Sequence, residues 1–150
     1  MDLNKFSRIR RLIVWVKMQI YRRFWGMDIH PTVEFSLSAR FDKTYPRGVH
    51  IGQKTYVAFD AAILTHDRTR RLYLHTRIGQ YCFIGARSII MPGVSIGNEC
   101  IVGSGAVVTH DVPDRSMVAG NPARVINSGE ILEEYGTVRS AEQPRADLWQ

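Results

Sequence analysis

His66 stands at the head of the run Asp67-Arg68-Thr69-Arg70-Arg71-Leu72-Tyr73-Leu74-His75-Thr76-Arg77, which contains four arginines. An imidazole, with an ordinary pKa of about 6.5, takes up and returns a proton near neutrality. Guanidinium groups stay charged and pair with phosphate or carboxylate through two parallel hydrogen bonds. Proton transfer beside an anion-binding surface is the chemistry open to such a segment. Zinc chemistry fits less well, because a catalytic centre needs three converging ligands and an open fourth position. His50, His66, His75 and His110 show no close pair of suitable spacing. Cys82 and Cys100 form neither a CxxC pair nor a disulfide framework, and read as free thiols of a reducing compartment.

The elements that hold these residues follow from a repeat. Ile51, Val57 and Ile63 begin three hexads, and after an interruption the beat resumes at Ile78, Ile84, Ile90, Ile96, Val102 and Val108. Glycine often follows the beat (52, 79, 85, 97, 103), and the fifth position is small or compact: Thr55, Ala61, Cys82, Ser88, Val94, Cys100, Ala106, Val112. A triangular coil of short strands needs this pattern, with a β-branched residue inside, glycine in tight backbone and a compact residue near each corner. Three hexads make one turn, so residues 18 apart stack at the parallel-strand spacing of about 4.8 Å. Cys82 and Cys100 form such a stacked pair. Ile29, Phe35 and Phe41 keep the beat in a first, irregular coil, before Tyr45-Pro46-Arg47-Gly48 adds four residues. The expected architecture is all-β, a parallel β-helix of about four coils over residues 29–126, with a protruding loop at 67–77.

Both ends need covers. Phe6, Ile9, Ile13, Val16, Ile20 and Phe24 recur at helical spacing among basic residues, which predicts an amphipathic helix over 4–25 within an N-terminal segment 1–28. Its apolar stripe packs on the β-helix or a neighbouring subunit, or else lies on an anionic membrane surface. At the other end, Ser128 is expected to cap a short helix through Glu134, in a segment 127–150 whose polar tail after Gly136 is poorly ordered. The net charge is +6, of which residues 1–28 contribute +5 from Lys5, Arg8, Arg10, Arg11, Lys17, Arg22 and Arg23 against Asp2 and Asp28. No zinc-finger, helix-turn-helix or aromatic RNA-binding signature accompanies that charge, so nucleic acid is set aside. The apolar run Leu12–Val16 is far short of the roughly 20 residues that span a bilayer, and no small-residue cleavage site follows it. A cytoplasmic protein is expected, at the inner membrane surface if the helix binds lipid.

From Ile78 through Ile126 the chain resembles the hexapeptide-repeat acyltransferase family, above all bacterial sugar and polysaccharide O-acetyltransferases. The matching segments are Ile84-Gly85-Ala86, Met91-Pro92-Gly93-Val94, Val102-Gly103-Ser104-Gly105, Val107-Val108-Thr109, Asp111-Val112-Pro113 and Ala119-Gly120-Asn121-Pro122-Ala123. The resemblance spans residues 29–126, is weak in the N-terminal helix and is absent from the tail. It implies a left-handed coil, homotrimers with active sites between subunits, and acetyl-CoA as co-substrate without a metal. The family's catalytic histidine precedes the protruding loop, and Leu64-Thr65-His66-Asp67 matches it, which makes His66 the expected base. A hydroxyl is a poor nucleophile until it loses its proton, so the residue type suits the role. A backbone N–H near Gly85 or Ala86 is the expected oxyanion donor; no group is assigned to orient His66.

The same resemblance implies that pantetheine runs along backbone near Gly85, Ala86 and Ser104, with Thr109, His110 and Arg124 near the nucleotide end. Many relatives carry lysine at the position of His110, so Arg124 is the stronger phosphate partner. Asp67, Arg68, Arg70, Arg71 and Phe83 are expected on the acceptor side. The leading reading is acetyl transfer from acetyl-CoA to a hydroxyl of a sugar or polysaccharide precursor, since Arg40-Phe41-Asp42-Lys43-Thr44-Tyr45-Pro46 and the basic loop most resemble that group. N-acetylation of a nucleotide-linked amino sugar is the alternative, with Arg68, Arg70 and Arg71 meeting its phosphates. Galactoside, maltose, serine and antibiotic acceptors occur on the same fold, which by itself says little of substrate. A zinc carbonic anhydrase and a non-catalytic scaffold are the other classes; bound zinc would mark the first, and absence of acetyl-CoA binding the second.

Overall fold

The computed structural model describes residues 3–129 and 131–138. Its body is built of two-residue strands in which the first side chain points outward and the second, the hexad's Ile, Val or Phe, points in. The chain runs through β1 (Asp28–Ile29), β2 (Glu34–Phe35) and β3 (Arg40–Phe41), then β4 (Val49–Ile51), β5 (Tyr56–Val57) and β6 (Ala62–Ile63). A hairpin of β7 (His66–Asp67) and β8 (Leu72–Tyr73) interrupts it. Next come β9 (Thr76–Ile78), β10 (Phe83–Ile84) and β11 (Ile89–Ile90), β12 (Ser95–Ile96), β13 (Ile101–Val102) and β14 (Val107–Val108), and finally β15 (Ser116–Ala119) and β16 (Arg124–Ser128).

Every third strand pairs in parallel with the one before it, which makes three faces. The inward residues form the ladders Ile29, Ile51, Ile78, Ile96; Phe35, Val57, Ile84, Val102, Val118; and Phe41, Ile63, Ile90, Val108. All are buried and join one core. The ladders also date the interruptions. Ile29 and Ile51 pair across 22 residues, four more than three hexads, and Ile51 and Ile78 across 27, nine more. The hairpin therefore adds nine residues net, and Thr76 and Arg77, counted with the loop by the hexad beat, already belong to β9.

Glycine and left-handed backbone occupy different hexad positions. Glycines after the beat face the next layer: a Cβ on Gly85 would lie 2.5 Å from the Val102 carbonyl oxygen and 2.6 Å from the Ser104 nitrogen. Positive φ falls two residues later, at Lys54, Asp60, Tyr81, Arg87 and Glu99, and at Gly93 and Gly105. Close approach of layers, not conformational freedom, fixes the glycine after the beat. The fifth-position residues are buried as the pattern requires. The thiols of Cys82 and Cys100 each donate to a carbonyl of the next layer, Gly97 and Pro113, both at 3.1 Å. The neighbouring Cys100 and burial push the Cys82 thiol far up, which suits a packing role.

The N-terminal cover is α1 (Leu3–Gln19), continued by a π turn at Ile20–Phe24. It closes the coil through residues other than the expected stripe. Met18 and Tyr21 are buried, Val14 and Trp25 pack beside them, and the Tyr21 ring meets Phe35 and Phe41 at 5.8 and 5.1 Å. Ile9, Ile13, Val16, Ile20 and Phe24 remain exposed. The expected helix over 128–134 is not formed. Ser128 ends β16, which pairs antiparallel with β15 and covers its outer edge, an extended role suited to β-branched Val125 and Ile126. Gly129, at φ +91°, breaks the strand, and a 3₁₀ turn follows only at Glu134–Gly136. Most of the polar tail, from 139 on, lies outside the described residues.

Candidate active site

His66 is the first residue of β7, where the third hexad of the second layer gives way to the hairpin. Its Nδ1 lies 2.5 Å from Asp42 Oδ2. Asp42 is three residues before the four-residue step in the preceding layer, and its partner strand brings it beside Leu64 and Thr65. The same carboxylate accepts the N–H groups of Thr65 (3.0 Å), His66 (3.2 Å) and, on Oδ1, Thr44 (2.9 Å). Burial pushes the Asp42 carboxyl up, but the hydrogen bonds from Thr65, His66 and Thr44 outweigh it and hold it down at about 2. An ionised carboxylate only accepts, so Nδ1 of His66 carries the hydrogen and Nε2 is the basic nitrogen. The His66 side chain is 30% exposed, against 4% for Asp42.

The ground beneath this pair is fixed by buried hydroxyls. Thr65 Oγ1 donates to the Tyr45 carbonyl at 2.7 Å, and Thr76 Oγ1 donates to the Leu64 carbonyl at 2.6 Å while accepting the Gly93 N–H at 3.0 Å. Tyr45 packs edge-on against Tyr73 of β8, at 5.7 Å between ring centroids. His75 lies outside the pair in a separate chain of contacts: Tyr45 Oη at 3.3 Å, and His50 at 2.7 Å, which in turn meets Asp28 at 2.9 Å.

Asp67 turns away from His66. Its Oδ1 accepts the Thr69 N–H, the Thr69 hydroxyl and the Arg70 N–H, and its Oδ2 accepts Arg70 Nε at 2.7 Å. Hydrogen bonds from Thr69 and Arg70 hold its carboxyl well below the usual carboxylate range. Asp67 and Arg70 thus form the turn of the hairpin. Arg68 and Arg71 are exposed and, among the described residues, make no salt bridge.

Of the remaining expected site residues, Gly85 donates its N–H to the Val102 carbonyl at 2.8 Å, which leaves Ala86 as the oxyanion candidate. Ser104 is exposed beside Gly105. Thr109 Oγ1 meets His110 Nδ1 at 2.8 Å. His110 and Arg124, distant in sequence, line one shallow cavity of about 370 Å³ with Asp111 and Ala123. Phe83 stacks on Tyr56 at 5.7 Å and lies beneath Gly136, where a Cβ would come within 2.3 Å of its own. The Asn121–Pro122 bond before Arg124 is cis. The residue missed by sequence reasoning is Asp42. Its signal was available in register: with four residues inserted at 45–48, Phe41 falls opposite Ile63 and Asp42 falls at the foot of the hairpin.

YvoF of Bacillus subtilis (strain 168), provisionally named an acetyltransferase, is 33% identical over 123 residues, covering 81% of this chain and 72% of its own. The chain belongs to the hexapeptide-repeat acetyltransferase family. The family model for the hexapeptide repeat of succinyl-transferase matches residues 75–110 of this acetyltransferase. Serine acetyltransferase 2 of Arabidopsis thaliana is 31% identical over 136 residues, but the acetyltransferase covers only 39% of that relative's length. Among solved structures, a maltose O-acetyltransferase from Clostridium difficile 630 superposes with a TM-score of 0.60 at 26% identity, covering 77% of this chain and 75% of that one. A hexapeptide-repeat acetyltransferase of Vibrio cholerae O1 biovar eltor, solved with acetyl coenzyme A, shares the fold at 21% identity and a TM-score of 0.56, over 79% and 78% of the two chains.

Proposed function

We propose that this acetyltransferase moves an acetyl group from acetyl-CoA to a hydroxyl of a sugar or polysaccharide precursor, with His66 as general base and Asp42 as its positioning residue. The His66–Asp42 hydrogen bond at the foot of a hairpin bearing Arg68 and Arg71 carries the reading. His66 Nε2 takes the proton from the acceptor hydroxyl as its oxygen bonds to the thioester carbonyl carbon. The oxyanion is met by a backbone N–H, for which Ala86 is the candidate. Collapse breaks the carbon–sulfur bond, and the departing thiolate takes the proton back from His66, giving an acetyl ester and free CoA. Asp42 stays ionised throughout, holding the tautomer and balancing the imidazolium.

Donor binding is assigned to backbone near Ala86 and Ser104, with Arg124 and His110 at the nucleotide phosphates. The acting form is a left-handed coil of about four turns assembled as a cytoplasmic homotrimer, since symmetric neighbours would complete a site around the part-exposed His66 side chain. An amine of a nucleotide-linked sugar is the second acceptor class, favoured by the unpaired charges of Arg68 and Arg71.

Thiol release from acetyl-CoA, measured across a panel of sugars and nucleotide-linked amino sugars, tests the reading. One acceptor should support turnover, and His66→Ala should lower kcat by roughly 10²- to 10⁴-fold with little change in KM. Asp42→Asn should lower kcat in the same direction, because an amide cannot enforce the Nδ1–H tautomer. Turnover that survives His66→Ala would remove the base from the proposal.

A further inference from the structure

Two apolar stripes share α1 and its π turn, and the coil uses one of them. Val14, Met18, Tyr21 and Trp25 pack toward Phe35 and Phe41 at the coil's N-terminal end. At 100° per residue, Ile9, Leu12, Ile13, Val16, Ile20 and Phe24 fall in an arc about 120° wide on the opposite side. They are 42–78% exposed, with Phe24 the most open. The polar borders of that arc are cationic: Arg8 and Arg22 lie toward one side and Arg10 toward the other, where Lys17 instead donates to the Leu37 carbonyl at 2.6 Å, and Arg23 lies within it. No acidic residue occurs between positions 3 and 27.

We infer that this stripe docks the protein on an anionic lipid bilayer, with α1 lying in the interfacial plane. The charge pattern selects the occupant. A helix with apolar residues on one arc, long basic side chains along both borders and no acids matches what an anionic headgroup layer and the acyl boundary beneath it accept together. The aliphatic stems of the arginines lie along the apolar arc while their heads reach phosphate, and exposed Trp15, at 60%, stands at the border where indole is favoured. A second copy of the same helix would bring Arg against Arg instead. Among the described residues no helix is long and apolar enough to cross a membrane, so the contact is peripheral. Phe24 meets Trp25 edge-on at 5.3 Å, and the six side chains of the arc lie outside the core cluster, so binding leaves the coil as it is. The dock follows from α1 alone and stands apart from the chemistry proposed for His66.

Co-sedimentation of the full chain with vesicles tests it. Vesicles of phosphatidylglycerol and phosphatidylcholine should retain the protein at least tenfold more strongly than vesicles of phosphatidylcholine alone, and the difference should shrink as salt is raised. The exposed triple variant Leu12→Ser/Ile13→Ser/Phe24→Ser should lose this retention while keeping the wild-type unfolding midpoint and light-scattering mass. Equal retention on neutral vesicles, or full retention of the triple variant, overturns the inference. A wild-type chain that ignores vesicles, with a triple variant of smaller mass, also overturns it and assigns the stripe to a subunit contact.

Discussion

Asp42 accepts three backbone N–H groups in addition to His66 Nδ1, so its charge is set by the backbone as much as by the imidazole. Its carboxyl is held at about 2, below the usual value near 3.8. A lowered folded-state value means that its contribution, about 2 kcal/mol, is complete above the unfolded pKa and is lost as pH falls from about 4 through 2. Acid titration followed by urea unfolding should show a drop in stability across that window, and Asp42→Asn should abolish that part of the slope. His66 was legible in the sequence because the hairpin breaks an otherwise regular beat beside it, and because of the family resemblance. Asp42 was not, since a carboxylate 24 residues upstream becomes a neighbour only when the four-residue step at 45–48 is counted in register. Asp67 shows the converse: it is next to His66 in sequence, yet alternation along β7 and the Asx-type turn at Thr69 and Arg70 carry it away.

At the scale of elements, the hexad beat placed the inward residues from Ile29 to Val108, because a period of six on three faces leaves a β-branched side chain nowhere else to go; Val118, 16 residues after Val102, falls off it. What it left open were the elements outside the coil. The apolar spacing on α1 marks two stripes, and periodicity alone does not tell which one a coil end will choose; Tyr21 decides it through its contacts with Phe35 and Phe41. The C-terminal segment looked helical from its capping residue, but an open sheet edge at β15 offers backbone hydrogen bonds that a short isolated helix lacks. The two kinds of glycine separate in experiment. Gly85→Ala puts a methyl group against backbone of the next layer and should cost about 1–3 kcal/mol or more. Gly105→Ala, at φ +72° with open space around it, should cost only about 1 kcal/mol. Chemical denaturation of the two variants side by side measures the difference; an equal loss would mean that layer spacing yields more readily than the geometry implies.

For the molecule as a whole, the proposed base and the residues proposed for the donor's nucleotide end lie at different heights on one axis. His66 follows β6, in the second layer, while the cavity shared by His110 and Arg124 is lined by Val108 and Val118 of the fourth and fifth. At about 4.8 Å per layer that separation is roughly 10–14 Å along the axis. The ladder of Ile63, Ile90 and Val108 cannot stretch, so the coil acts as a ruler whose graduations are turns of backbone. On the proposed donor path, acetyl-CoA is gauged by length as well as by charge, and the gauge can be reset by a whole number of turns without touching either end. Repeating residues 85–102 once after Val102 keeps the beat and moves Arg124 one graduation away from His66. Thiol-release kinetics should then show kcat/KM for acetyl-CoA falling at least tenfold, while acetyl-pantetheine, which lacks the nucleotide, is turned over about as before.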